Sequence, residues 1–112
     1  MARNQLLATP PYAVEQALKR LGTNLRTARV RRRLTREEIA QKIGVGIRAI
    51  SDAEKGKPSS SVAVYMALLW VFDLLREVDK LADPALDGEG LALALSREVI
   101  RVRHPEELDN DF

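Results

Sequence analysis

Apolar positions set the first element. Val14, Leu18, Leu21, Leu25 and Ala28 recur every three or four residues, the stripe of one amphipathic helix running to about Arg33. Residues 1–9 have no such period and read as an arm. Thr9 stands where it can cap a helix that begins with Pro10 or Pro11, because first-turn amides have no intrahelical acceptor and proline lacks the amide anyway. Gly22 and Thr23 weaken the middle of this helix and leave room for a break there. Leu34 and Thr35 interrupt the stripe, and Thr35 with Glu38 three residues on is a capping box. A short second helix follows, with Ile39, Ala40 and Ile43 inward and Gly44 as its stop. A third runs from about Gly46 to Lys55 and closes at Gly56 and Pro58.

Ser59, Ser60 and Ser61 are three candidate caps for a helix from Val62 to about Phe72, which is apolar almost all round. Leu74 to Leu81 predicts a fifth helix ending before Asp83 and Pro84. Beyond lies a glycine-interrupted segment with a β-branched run at Val99, Ile100 and Val102, read as a tail with one strand that needs a partner. The expected fold is therefore all-α and five-helix: an arm over 1–10, a helical domain over 11–83 and a tail over 84–112.

Composition agrees. Hydrophobic residues make up 46% of the 112 but aromatics only 4%, a balance that suits helices better than sheets. Cysteine is absent, which excludes disulfides, thiolate zinc sites and thiol catalysis. The apolar run from Val62 to Leu75 is shorter than the ~20 residues of a membrane span and contains Asp73, and the N-terminus lacks a signal pattern. A cytoplasmic protein is expected.

Charge changes the picture more. The net charge is only +2, yet residues 1–57 hold 13 Lys and Arg against 5 Asp and Glu, while residues 58–112 hold 5 against 11. A basic half joined to an acidic half suggests partners of opposite sign, with nucleic acid the polyanion for the first.

Two short helices joined by Gly44-Val45-Gly46 have the spacing of a helix-turn-helix, in which the first helix braces the second against the DNA major groove. At 100° per residue, Ile50, Ala53 and Glu54 cluster on one side of the second helix, with Ala49 beside them. Ile47, Arg48, Ser51, Asp52 and Lys55 share the other. Its N-terminal turn would lie deepest, so the expected base readers are Ile47 for a thymine methyl, Arg48 for guanine and Asp52 for cytosine, with Arg36 reaching a flanking base or phosphate. Arg48 and Asp52, four apart, are also placed to pair with each other. Arg32, Arg33, Thr35, Gly46, Ser51, Lys55 and Lys57 are the phosphate candidates. The all-round apolar helix suggests a homodimer contact through Tyr65, Leu69, Trp70 and Phe72.

Enzyme chemistry finds little to use. His104 is the sole histidine, so one chain assembles neither a His-based triad nor a multi-histidine metal site. The adjacent pairs Glu37-Glu38 and Glu106-Glu107 point to different sides of a helix, and neither Gly44-Val45-Gly46 nor Gly88-Glu89-Gly90 has the context of a phosphate loop. No cofactor or metal is expected.

The stretch "LGTNLRTARVRRRLTREEIAQKIGVGIRAISDAEKG", Leu21 to Gly56, resembles the helix-turn-helix of the Cro/C1-type, or Xre, family of phage repressors and bacterial antitoxins. Leu34-Thr35, Glu38-Ile39-Ala40, Gly44-Val45, Ile50-Ser51, Glu54 and Gly56 carry the likeness, which covers roughly residues 18–75. It implies a structural salt bridge between Arg29 and Glu54. Gly46 departs from the Ser or Thr usual at that cap. The text from Glu54 to Ala94, with Leu81-Ala82-Asp83-Pro84 leading into an acidic tail, is similar to HipB-like antitoxins paired with HipA-like kinase toxins. That likeness implies a dimeric autorepressor on a palindromic double-stranded operator, whose tail meets the toxin or a second subunit. A free-standing Xre-type regulator and a module acting chiefly in protein interaction are the alternatives.

Overall fold

The computed structural model describes residues 8–103. It comprises α1 (Tyr12–Arg31), α2 (Arg36–Ile43), α3 (Ile47–Glu54), α4 (Val62–Val71), a 3₁₀ helix (Leu75–Lys80) and α5 (Gly88–Arg103), and no strand among those residues. The chain divides into two units, one ending at Leu75 and the other beginning at Arg76.

The first unit holds the core. Leu25 and Ala28 of α1, Ile39 and Ala40 of α2, Ile50 and Ala53 of α3, and Tyr65, Leu68 and Phe72 of α4 and its end are buried together. Fully burying the leucine, isoleucine and phenylalanine side chains among them contributes about 1.5–3 kcal/mol each. Helix α3 packs against α1, α2 and α4, so its back face is gripped from three directions.

The helix ends follow from local chemistry, with four corrections to the expected pattern. Thr9 does not cap α1: Pro11 takes that position with φ −54° and ψ 148° and no side-chain bond. Pro10 is excluded from helical backbone by the proline that follows it, which moves the start inward. No break occurs at Gly22, since α1 is continuous through it. Ser61 is the serine that caps α4, its hydroxyl accepting from the Val64 amide at 3.2 Å. Residues 75–80 form a 3₁₀ helix with no buried residue, so no packed face draws them into an α-helix.

The fourth correction concerns the second unit. Residues 88–103 are helical, not a strand over Val99, Ile100 and Val102. Asp87 Oδ1 accepts from the Gly90 amide at 2.9 Å, an N-cap, and the Leu- and Ala-rich run that follows favours a helix and outweighs three β-branched residues. His104, Glu106 and Glu107 lie outside the described residues, as do residues 1–7 of the expected arm.

Candidate nucleic-acid interface

The turn between α2 and α3 is built by its caps. Thr35 Oγ1 accepts from the Glu38 amide at 3.0 Å, and Glu38 Oε1 accepts from the Thr35 amide at 2.8 Å. The Thr35 amide, and after it the Thr35 hydroxyl, hydrogen-bond the Glu38 carboxylate and hold that carboxyl below its ordinary value of 4.5. Gly44 ends α2 at φ 78°, Val45 packs on the core, and Gly46 caps α3 in extended backbone without a side-chain bond. The Thr35 hydroxyl is thus engaged in holding α2.

Helix α3 divides as its wheel requires. Ile50, Ala53 and Glu54 are buried, whereas Ile47 is 48% exposed and Arg48 is exposed beside it. Ser51 and Asp52 are half-buried and Lys55 is exposed. An eight-residue helix spans roughly 12 Å, close to the roughly 12 Å width of the major groove. Asp52 pairs with Lys57 Nζ at 3.1 Å rather than with Arg48, because the turn after α3 folds Lys57 back so that its amide reaches the Asp52 carbonyl. Arg48 therefore stands at the first turn without the carboxylate expected to orient it.

Behind α3 the chain is locked to α1. Arg29 donates from Nε to Glu54 Oε2 at 2.6 Å, from Nη2 to Glu54 Oε1 at 3.2 Å and from Nη1 to the Leu34 carbonyl at 3.0 Å. A second arginine joins it: Arg36 Nε donates to Glu54 Oε1 at 2.9 Å. Close backbone approach makes this lock. A Cβ on Gly22 would fall 2.5 Å from the Glu54 carbonyl oxygen, and one on Gly56, at φ 71°, would fall 2.5 Å from that of Leu18. Gly22, expected as a weak point of α1, is the place where α3 comes against it.

A family model described as a helix-turn-helix domain matches residues 20–81, more than half of the chain and all of α2, the turn and α3. The chain belongs to the helix-turn-helix domain family. No curated protein and no solved structure matches it. A helix-turn-helix domain carries DNA-binding regulation, with its second helix as the reader. No helix among the described residues is long and apolar enough to cross a membrane, and none of their Asp and Glu side chains cluster in threes that could hold a metal ion.

Within the helix-turn-helix domain several expected site residues also serve the fold. Arg32, an exposed residue, donates from Nη1 to the Ala28 carbonyl and from Nη2 to the Phe72 carbonyl, both at 2.9 Å, with its guanidinium 5.3 Å from the Phe72 ring centroid. A cation there satisfies the free carbonyls at the ends of α1 and α4 with one N–H of each terminal nitrogen. Arg33 is exposed at φ 55°, in the left-handed conformation that closes α1.

The dimer candidates separate too. Tyr65 and Phe72, 4% and 1% exposed, belong to the core and cannot meet a second subunit. Leu69 is half-buried, and Trp70 is 59% exposed. The Tyr65 hydroxyl is buried near Ser60 Oγ without forming a well-shaped hydrogen bond; burial pushes the phenol above its ordinary 10.0 and Ser60 opposes this.

Sequence reasoning missed Arg36 as a partner of Glu54 and Gln41 as a neighbour of the turn, where it lines a groove with Thr35, Val45, Gly46 and Ile47. Arg36 and Glu54 are 18 positions apart, and no local period relates them. Gln41 sits one helical turn before the Gly44–Gly46 corner, a spacing that points it toward the start of α3.

Proposed function

We propose that this chain is a sequence-specific transcriptional repressor that binds a palindromic double-stranded operator as a homodimer, with α3 in the major groove. The observation that carries the reading is the exposure of Ile47 and Arg48 on the first turn of a helix whose back face is buried on three sides. Rigid support of this kind is what turns a basic surface into a reader, because base contacts need a fixed register. Ile47 and Arg48 read base edges. Gly46, Ser51, Lys55 and Arg33 contact phosphates, and Trp70 with Leu69 supplies the face for the second subunit. Selection from a random duplex pool, followed by footprinting, tests it: two half-sites about one helical turn apart are expected. Enrichment of no sequence over bulk duplex defeats it.

The finer reading, an antitoxin whose acidic half meets a HipA-like kinase toxin, is supported by the resemblance around Leu81–Pro84 and by the excess of 11 acidic over 5 basic residues after Lys57. A HipA-like kinase encoded next to this chain should then co-purify with it. Loss of that association on removing residues 84–112, with duplex binding kept, is the expected result; association without those residues rules the tail out as the contact.

A further inference from the structure

Glu54 accepts hydrogen bonds from two arginines that belong to different helices. Arg29 takes Oε2 and shares Oε1, while Arg36 takes Oε1 through its Nε alone. One negative charge therefore faces two positive ones. The Glu54 side chain is 4% exposed and that of Arg36 41%, so the surplus positive charge sits on the member that meets solvent. Because Arg36 is held by Nε, its Nη1 and Nη2 have no hydrogen-bond partner among the described residues. Arg36 is also the first residue of α2, where the free amides and the helix dipole favour an anion. A guanidinium fixed at its Nε and free at its two terminal nitrogens matches a phosphate, which takes two parallel N–H donors.

Resting on the DNA-binding reading above, we infer that Glu54 is a positioning residue for DNA recognition. It grips Arg36 from below and presents both terminal nitrogens to a backbone phosphate beside the N-terminus of α2. The carboxylate never touches DNA. The same group that locks α3 to α1 thereby sets the register of the helix-turn-helix on the duplex, so the internal lock and the phosphate contact share one anion.

The test is a double-mutant cycle on the operator duplex recovered by selection, with wild type, Glu54→Gln, Arg36→Ala and the double variant, each well below its own unfolding temperature. Glu54→Gln should weaken binding about tenfold when Arg36 is present, the scale of one charge-assisted contact, and hardly at all when Arg36 is alanine. Equal losses in both backgrounds make Glu54 merely structural and overturn the inference. If Glu54→Gln does not fold, nitrogen-15 NMR of the wild type decides instead. The Arg36 Nε–H should stay protected from exchange with and without duplex while its Nη signals shift on binding. Lost Nε–H protection or unmoved Nη signals overturn the inference. Wild type that binds no duplex removes the DNA reading and this inference with it, whereas wild type that binds with an uncoupled cycle removes the inference alone.

Discussion

Gly22 of α1 lies so close to Glu54 that a Cβ on the glycine would sit 2.5 Å from the Glu54 carbonyl oxygen and 2.6 Å from that of Ala53. Helix propensity alone says Gly22→Ala should stabilise α1 by about 1 kcal/mol. The contact atoms are backbone, however, and cannot rotate aside, so α3 must move. We expect a net loss of stability, since overpacking costs about 1–3 kcal/mol. Urea unfolding checks it, with Gly88→Ala, where a Cβ meets nothing within 4 Å, as the control free of steric overlap. A gain at Gly22 would mean the close approach is not held in solution.

Arg48→Ala separates reading from attraction. Arg48 is exposed on the first turn of α3, while Asp52 is occupied by Lys57. The variant should lose about 1–3 kcal/mol of preference for the operator and keep its affinity for unrelated duplex. Competition binding at fixed salt reads both. An equal loss on every sequence would make Arg48 a phosphate contact.

Gly46 invites the opposite change. It caps α3 at φ −76° and ψ 157°, ordinary extended backbone, and a Cβ there meets nothing. Serine at this position supplies a hydroxyl to a first-turn amide, and Gly46→Ser should raise stability by a few tenths of a kcal/mol. Thermal unfolding measures that gain, and duplex binding measures the rest. Weaker operator binding by a more stable Gly46→Ser domain would show that the bare backbone at this corner approaches DNA.

Acid should loosen α2 first. The bond its carboxylate accepts from the Thr35 amide, helped by the Thr35 hydroxyl, holds Glu38 below its ordinary 4.5, so its ionised form is favoured by the folded state. A carboxyl with a depressed folded value contributes stability that is present above 4.5 and is lost as pH falls through the folded value. The stability difference between wild type and Glu38→Gln should shrink as pH is lowered below that point. A difference unchanged between neutral pH and pH 3 would remove the carboxylate from the cap's energetics.

What was legible in the sequence is what short range decides. Thr35 with Glu38, the left-handed Gly44 and the split of α3 into Ile50, Ala53 and Glu54 against Ile47 and Arg48 all follow from spacings of three or four residues. Helix α4 resisted because a segment apolar all round carries no phase: nothing in Val62–Val71 says that Tyr65 and Leu68 turn inward and Trp70 outward. Arg32 resisted for another reason. Its partner is a carbonyl 40 positions away, and a backbone group has no residue type to recognise. In the second unit the signal was present but outweighed, since Asp87 capping Gly90 announces a helix that the β-branched Val99 and Ile100 argued against.

Trp70 gives the protein a built-in optical reporter. It is the sole tryptophan, it stands on α4, and it is mostly in solvent, whereas the proposed base-reading residues are on α3. Association through α4 would dry the indole and move its emission to shorter wavelength. DNA seated on α3 alone would leave its colour unchanged, so one unlabelled sample distinguishes pairing of subunits from engagement of the duplex.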